Sequence, residues 1–109
     1  MIKNKLKSAI KIIKEELAEN NIRIKNIILF GSRAKGNFTS GSDWDFLIVI
    51  DKEIENDVKR AIKGEIRKKL VYSDILADIL IISEKTFNDN KDDIGQITYY
   101  AVKDGILVK

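Results

Sequence analysis

The chain has 109 residues, 44% of them hydrophobic and 34% charged, with a formal net charge of +3; this is the size of one domain, 1–109, with a single core and the composition of a soluble globular protein. It contains neither Cys nor His, which excludes disulfides, thiolate chemistry, imidazole bases and His-ligated zinc, so any metal must be a hard cation held by oxygen. No apolar run approaches the ~20 residues that span a bilayer, no signal-peptide block follows the lysine-rich start, and basic residues are spread rather than gathered in an arm; a cytoplasmic protein is expected, with no membrane and no indicated nucleic-acid contact.

Ile2, Leu6, Ala9, Ile10, Ile13 and Leu17 keep a three-and-four spacing with lysines opposite, which predicts an amphipathic helix from Ile2 to Leu17 ending near Asn20-Asn21. Ile22 to Phe30 reads as a first strand, apolar on both faces from Ile27 onward. A Gly-rich stretch, Gly31 to Asp45, leads into Phe46 to Ile50, a second central strand. Strands joined by about a dozen residues can lie side by side, which would bring Ser32 near Asp43 and Asp45.

Ile54, Val58, Ala61, Ile62, Ile66 and Leu70 predict a second amphipathic helix from Glu53 to Val71, in which Gly64 costs ~1 kcal/mol relative to Ala. Ile75 to Ile82 is the third strand, interrupted by Asp78. A carboxylate inside a buried strand is costly unless paired or metal-bound, whereas Asp74, just before the apolar run, suits a capping role. Ser83 is a plausible N-cap for a turn through Phe87, followed by a loop over Asn88 to Asp93. Ile94, Ile97, Tyr100 and Ala101 carry a short helix ending at Gly105 as a C′ glycine, and Ile106-Leu107-Val108 adds a last short strand. Tyr99 and Tyr100 suit packing better than catalysis.

The chemistry concentrates between Gly31 and Asp45. Gly31 permits a tight turn with close backbone approach, and Ser32 with the following amides can open a short helix whose N-terminus attracts anions. Asp43 and Asp45 are two apart, so if strand geometry already holds there, both carboxylates point to one face and Trp44 to the other. Two such carboxylates repel unless a divalent cation lies between them, and a Mg²⁺ site facing a phosphate cradle is the economical reading. Taken singly, each half has a plainer explanation: Gly-Ser after a strand is commonly only a turn, and Asp-x-Asp at a strand start is commonly solvated charge. Gly31 and Gly36 imitate P-loop spacing, but Asn37 and Phe38 stand where Lys and Ser/Thr are required.

Gly-Ser, ten residues, then Asp-x-Asp between two apolar strands resembles the signature of the DNA polymerase beta type nucleotidyltransferase superfamily, and the short chain resembles its minimal members (MNT proteins), which pair with HEPN-domain proteins in toxin–antitoxin systems. The likeness continues through Ala77 to Ser83 and, more weakly, Tyr99 to Val108. The resemblance implies an α/β (α+β) nucleotidyltransferase fold with a small mixed sheet of about four strands and about three helices. It implies a third carboxylate on the strand after the connecting helix, where Asp78 stands, so that Asp43, Asp45 and Asp78 are the expected catalytic and metal-binding set for two Mg²⁺ ions. Gly31, Ser32 and Arg33 are the expected phosphate-binding residues, with Lys35 a weaker candidate beside them. ATP as substrate, AMP transfer to a tyrosine hydroxyl of a HEPN toxin, and a hetero-oligomer with that toxin are likewise implied by resemblance; without His, this chain is not the HEPN half. Two other readings stay open: a non-catalytic antitoxin that neutralises a HEPN protein by contact, and an RNA-end or small-molecule nucleotidyltransferase completed by another subunit.

Overall fold

The computed structural model describes residues 2–36, 38–39, 41–90 and 97–109. Helix α1 (Ile2–Glu19) buries Ala9, Ile13 and Leu17, one turn apart along a single stripe. Its end is built by Asn21 in a left-handed conformation (φ 57°), with the Ile22 N–H donating back to the Leu17 carbonyl at 2.9 Å. Glu16 is buried beside that stripe and accepts from Lys69 Nζ at 2.6 Å, which ties α1 to α3 (Asn56–Tyr72).

Four strands form one sheet in the order β3-β2-β1-β4: β1 (Ile24–Phe30), β2 (Trp44–Ile50), β3 (Ala77–Ser83) and β4 (Ile106–Leu107). β1 pairs antiparallel with β2 and β4, while β2 and β3 run parallel. Parallel neighbours need a long crossover, and α3 supplies it. The expected strand adjacency is therefore present, and the mixed α/β class is as the sequence reads. The longer helices α1, α3 and α5 (Ile97–Asp104) are joined by two short ones, α2 (Ser32–Lys35) and α4 (Glu84–Asn90).

Alternation along β2 sorts the core. Trp44, Phe46, Ile48 and Ile50 face α1 and α3, with the Trp44 and Phe46 rings stacked at 6.2 Å between centroids. Leu47 and Val49 face the other way, toward Ile28 and Ala101. Ser83 caps α4 as expected, accepting from the Thr86 N–H at 3.1 Å and donating to Glu53. That helix continues through Asn90, so Asn88–Asn90 are helical rather than looped; the rest of the expected loop, with Ile94, lies outside the described residues. Gly105 follows α5 but is not among the left-handed glycines, and its role is close packing: a Cβ there would collide with the Ala101 carbonyl and lie 2.6 Å from Ile28 Cγ2 and 3.1 Å from the Leu29 carbonyl oxygen. No helix among the described residues is long and apolar enough to cross a membrane.

Candidate active site

Gly31 ends β1 with φ 74°, a conformation that L side chains resist. Its carbonyl accepts from the Ala34 and Lys35 N–H groups at 3.2 and 3.1 Å, opening α2, and Gly36, also left-handed (φ 83°), closes that turn. A Cβ on Gly31 would collide with the Asp45 carboxylate, 3.1 Å from its Cγ. The glycine is thus required twice, by its φ and by the carboxylate packed on it.

Register does the rest. Phe30 pairs with Asp45 across the antiparallel ladder, and Asp45 pairs with Asp78 across the parallel one. By alternation, Asp45 and Asp78 share the sheet face of Leu47, Val49, Leu80 and Ile82, opposite Trp44. Burial first, then the charges of Asp78 and Asp43, raise the Asp45 carboxyl above its ordinary range. Asp43 is exposed just before β2.

Asp78 departs from the expectation of a buried strand carboxylate. β3 is an edge strand and Asp78 its second residue, so the side chain is 60% exposed and accepts from Arg67 Nη2 of α3 at 2.9 Å. Among the described residues, the acidic side chains form no ready-made cluster of three around a cation position. Asp74 is elsewhere: it is the left-handed residue (φ 59°) that ends α3, where the Ile75 N–H donates to the Leu70 carbonyl at 2.9 Å, and it meets Lys5 at 3.4 Å.

Ser32 is the first residue of α2, half-buried beside Gly31. Lys35 meets Asp104 of α5 at 3.7 Å. Arg33 reaches along the loop: Nη2 and Nε donate to the Ser42 carbonyl at 2.9 and 3.3 Å, and Cζ lies 4.6 Å from the centroids of both Phe38 and Trp44. Sequence reasoning did not single out Arg67, whose only signal is a basic residue on the helix that feeds the Asp78 strand.

An all-oxygen donor set with mutually repelling carboxylates suits a hard divalent cation, and a side-chain-free backbone corner beside it suits a polyanion. A strand, a Gly-Ser turn and carboxylates on the two strands beyond it define the class of nucleotidyl-transferring domains. The nucleotidyltransferase domain family model matches residues 10–106, and the chain belongs to that family. Protein adenylyltransferase MntA of Aphanizomenon flos-aquae (strain 2012/KM1/D3) is 33% identical over 104 residues, covering 83% of this chain and 64% of that protein. A candidate protein adenylyltransferase of Methanocaldococcus jannaschii is 34% identical over 80 residues, covering 71% of this chain and 80% of that protein. The chain therefore spans less than two thirds of the Aphanizomenon flos-aquae relative and 80% of the Methanocaldococcus jannaschii one.

Among solved structures, a toxin–antitoxin complex with AMP-PNP matches with a TM-score of 0.61 at 21% identity, covering 91% of this chain and 71% of that one. The MNT antitoxin bound to a tri-AMPylated Shewanella oneidensis HEPN toxin matches at 0.62 with 16% identity, covering 100% and 72%. At these identities the likeness is one of fold.

Proposed function

We propose that this chain is a Mg²⁺-dependent adenylyltransferase that moves AMP from ATP to a hydroxyl of a HEPN-type partner protein, a tyrosine, and so acts as an antitoxin. The observation that carries the reading is the row Phe30, Asp45, Asp78 across three strands, with Gly31 against the Asp45 carboxylate. The names of similar proteins point the same way, since one is a protein adenylyltransferase and another was solved beside an AMPylated HEPN toxin.

In this reading Asp43, Asp45 and Asp78 would hold two Mg²⁺ ions, which would neutralise the triphosphate and make the acceptor hydroxyl more acidic. Gly31 lets the phosphates approach the backbone, and the Ser32 hydroxyl donates to them. Asp78 accepts the hydroxyl proton while the acceptor oxygen bonds to the α-phosphorus and the bond from that phosphorus to the bridging oxygen breaks, releasing pyrophosphate. Its pair with Arg67 is exposed and so weak enough to yield.

The test is incubation with a HEPN-type protein, Mg²⁺ and labelled ATP. Label should move to the partner, and Asp78→Asn should abolish transfer while sparing the melting temperature and most AMP-PNP affinity. Asp74→Asn should be mild, because Asn tolerates a left-handed backbone as well as Asp does. The reverse pattern would show that Asp78 is not the third carboxylate. Label on free RNA ends instead would favour the RNA-end reading. Exposed Tyr72 and Leu76, at 81% and 61%, favour a second reading, neutralisation by contact alone.

A further inference from the structure

We infer that Arg33 is a positioning residue, which fixes Asp43 and Asp45 by clamping the loop that carries them and makes no contact with the nucleotide. The inference rests on the nucleotide-binding reading above.

Arg33 grips both neighbours of Asp43. On one side its fork donates twice to the Ser42 carbonyl, at 2.9 and 3.3 Å, which belongs to the peptide unit joining Ser42 to Asp43. On the other, its guanidinium lies over the ring of Trp44, the buried residue between the two carboxylates. The same group lies over Phe38, halfway along the loop. Ser42 is held further by its own turn: its N–H donates to the Thr39 carbonyl at 3.1 Å, and its hydroxyl accepts from the Thr39 N–H at 2.9 Å. A loop with glycines at Gly36 and Gly41 has much backbone freedom to lose, and without a clamp Asp43 would sample many positions. Only a planar, forked cation fits both the carbonyl and the rings; lysine keeps the charge but lacks the fork and the plane.

Lysine therefore separates the two roles open to Arg33. A residue that binds phosphate by charge is largely replaced by lysine, and its loss weakens nucleotide binding with or without metal. A residue that positions carboxylates is not so replaced, and its loss is felt only where the carboxylates act, through the divalent ion. The experiment is calorimetric titration of AMP-PNP into wild-type, Arg33→Lys, Phe38→Leu and Asp45→Asn proteins, each in Mg²⁺ and in chelator, with melting temperatures recorded.

Arg33→Lys should weaken binding in Mg²⁺ by about tenfold or more and leave the affinity in chelator unchanged. Phe38→Leu, which removes one ring and no charge, should move the Mg²⁺ value in the same direction by less. An equal loss in Mg²⁺ and chelator would show that Arg33 touches the nucleotide, and unchanged affinity in both would show that the clamp does not matter; either overturns the inference. If Arg33→Lys does not fold, Phe38→Leu decides, and its unchanged Mg²⁺ affinity is the overturning result. Asp45→Asn should lose the Mg²⁺-dependent part altogether. If it does not, the site reading fails first and takes this inference with it, a result distinct from failure of the clamp alone.

Discussion

Asp45 sits where burial and two neighbouring carboxylates oppose its charge, so its ionised form costs stability in the absence of a cation. The folded protein binds this proton more tightly than the unfolded chain, whose value is 3.8. The stabilisation from that proton is complete below the unfolded value and disappears as pH rises through the raised folded one. Asp45→Asn should therefore melt higher than wild type at about pH 7 without divalent ions, and the advantage should close at about pH 3.5, where both proteins are neutral at this site. Melting curves at the two pH values check it; a lower melting temperature for the variant at neutral pH would mean that the carboxylate is better accommodated than its surroundings indicate. Stability and function would then trade at one residue, since the same variant is expected to lose Mg²⁺-dependent binding. The Asp-x-Asp spacing is legible in the sequence, but β2 begins at Trp44, so strand alternation orients Asp45 and does not reach Asp43. Asp78 follows from the family resemblance, which expects a carboxylate on the strand after the connecting helix, while the burial expected of it is absent; what brings it to Asp45 is parallel register across a crossover, a long-range property that no local pattern encodes.

Elements with strong periodicity, α1 and α3, were readable because one buried stripe repeats in each, whereas glycine meaning was not. Gly64 reads as a tolerated helix glycine and Gly105 as a C′ glycine; in the fold the first faces open space, and the second, not left-handed, meets the Ala101 carbonyl, Ile28 and the Leu29 carbonyl. The same substitution should act with opposite signs. Gly64→Ala should stabilise by up to about 1 kcal/mol, because α3 gains a better helix former with room to spare. Gly105→Ala should cost about 1–3 kcal/mol, because the new Cβ runs into the Ala101 carbonyl of α5 as well as into Ile28 and the Leu29 carbonyl of β1. Denaturant unfolding at constant m measures both, and a stabilising Gly105→Ala would show that the β1–β4 contact relaxes freely. β4 itself has two exposed residues on its ladder, so its small extent follows from tertiary contact rather than from apolar content.

At the scale of the molecule, the sheet places β3 at one edge, with Asp78 and Asp43 open to solvent near its start. Val71, Tyr72 and Leu76 stand exposed around the α3–β3 turn, and the Leu76 carbonyl accepts from the Trp44 N–H at 2.9 Å, so apolar surface borders the loop of the carboxylates. Such a border suits a protein acceptor that brings its own docking surface, as the proposed function requires. Catalysis and contact can be separated there. Co-expression with a HEPN-type protein should give a complex in which the partner gains ~329 Da for each AMP, a covalent change that occupancy alone cannot produce. The Asp43→Ala, Asp45→Ala double variant should still bind, because neither carboxylate belongs to the apolar border, but the partner's mass should stay unmodified and its toxicity should return. Intact mass measurement together with growth of the co-expressing cells reads both. An unmodified partner that is nonetheless neutralised by the double variant would assign the antitoxin effect to contact, and the carboxylates would then need another reaction to explain them.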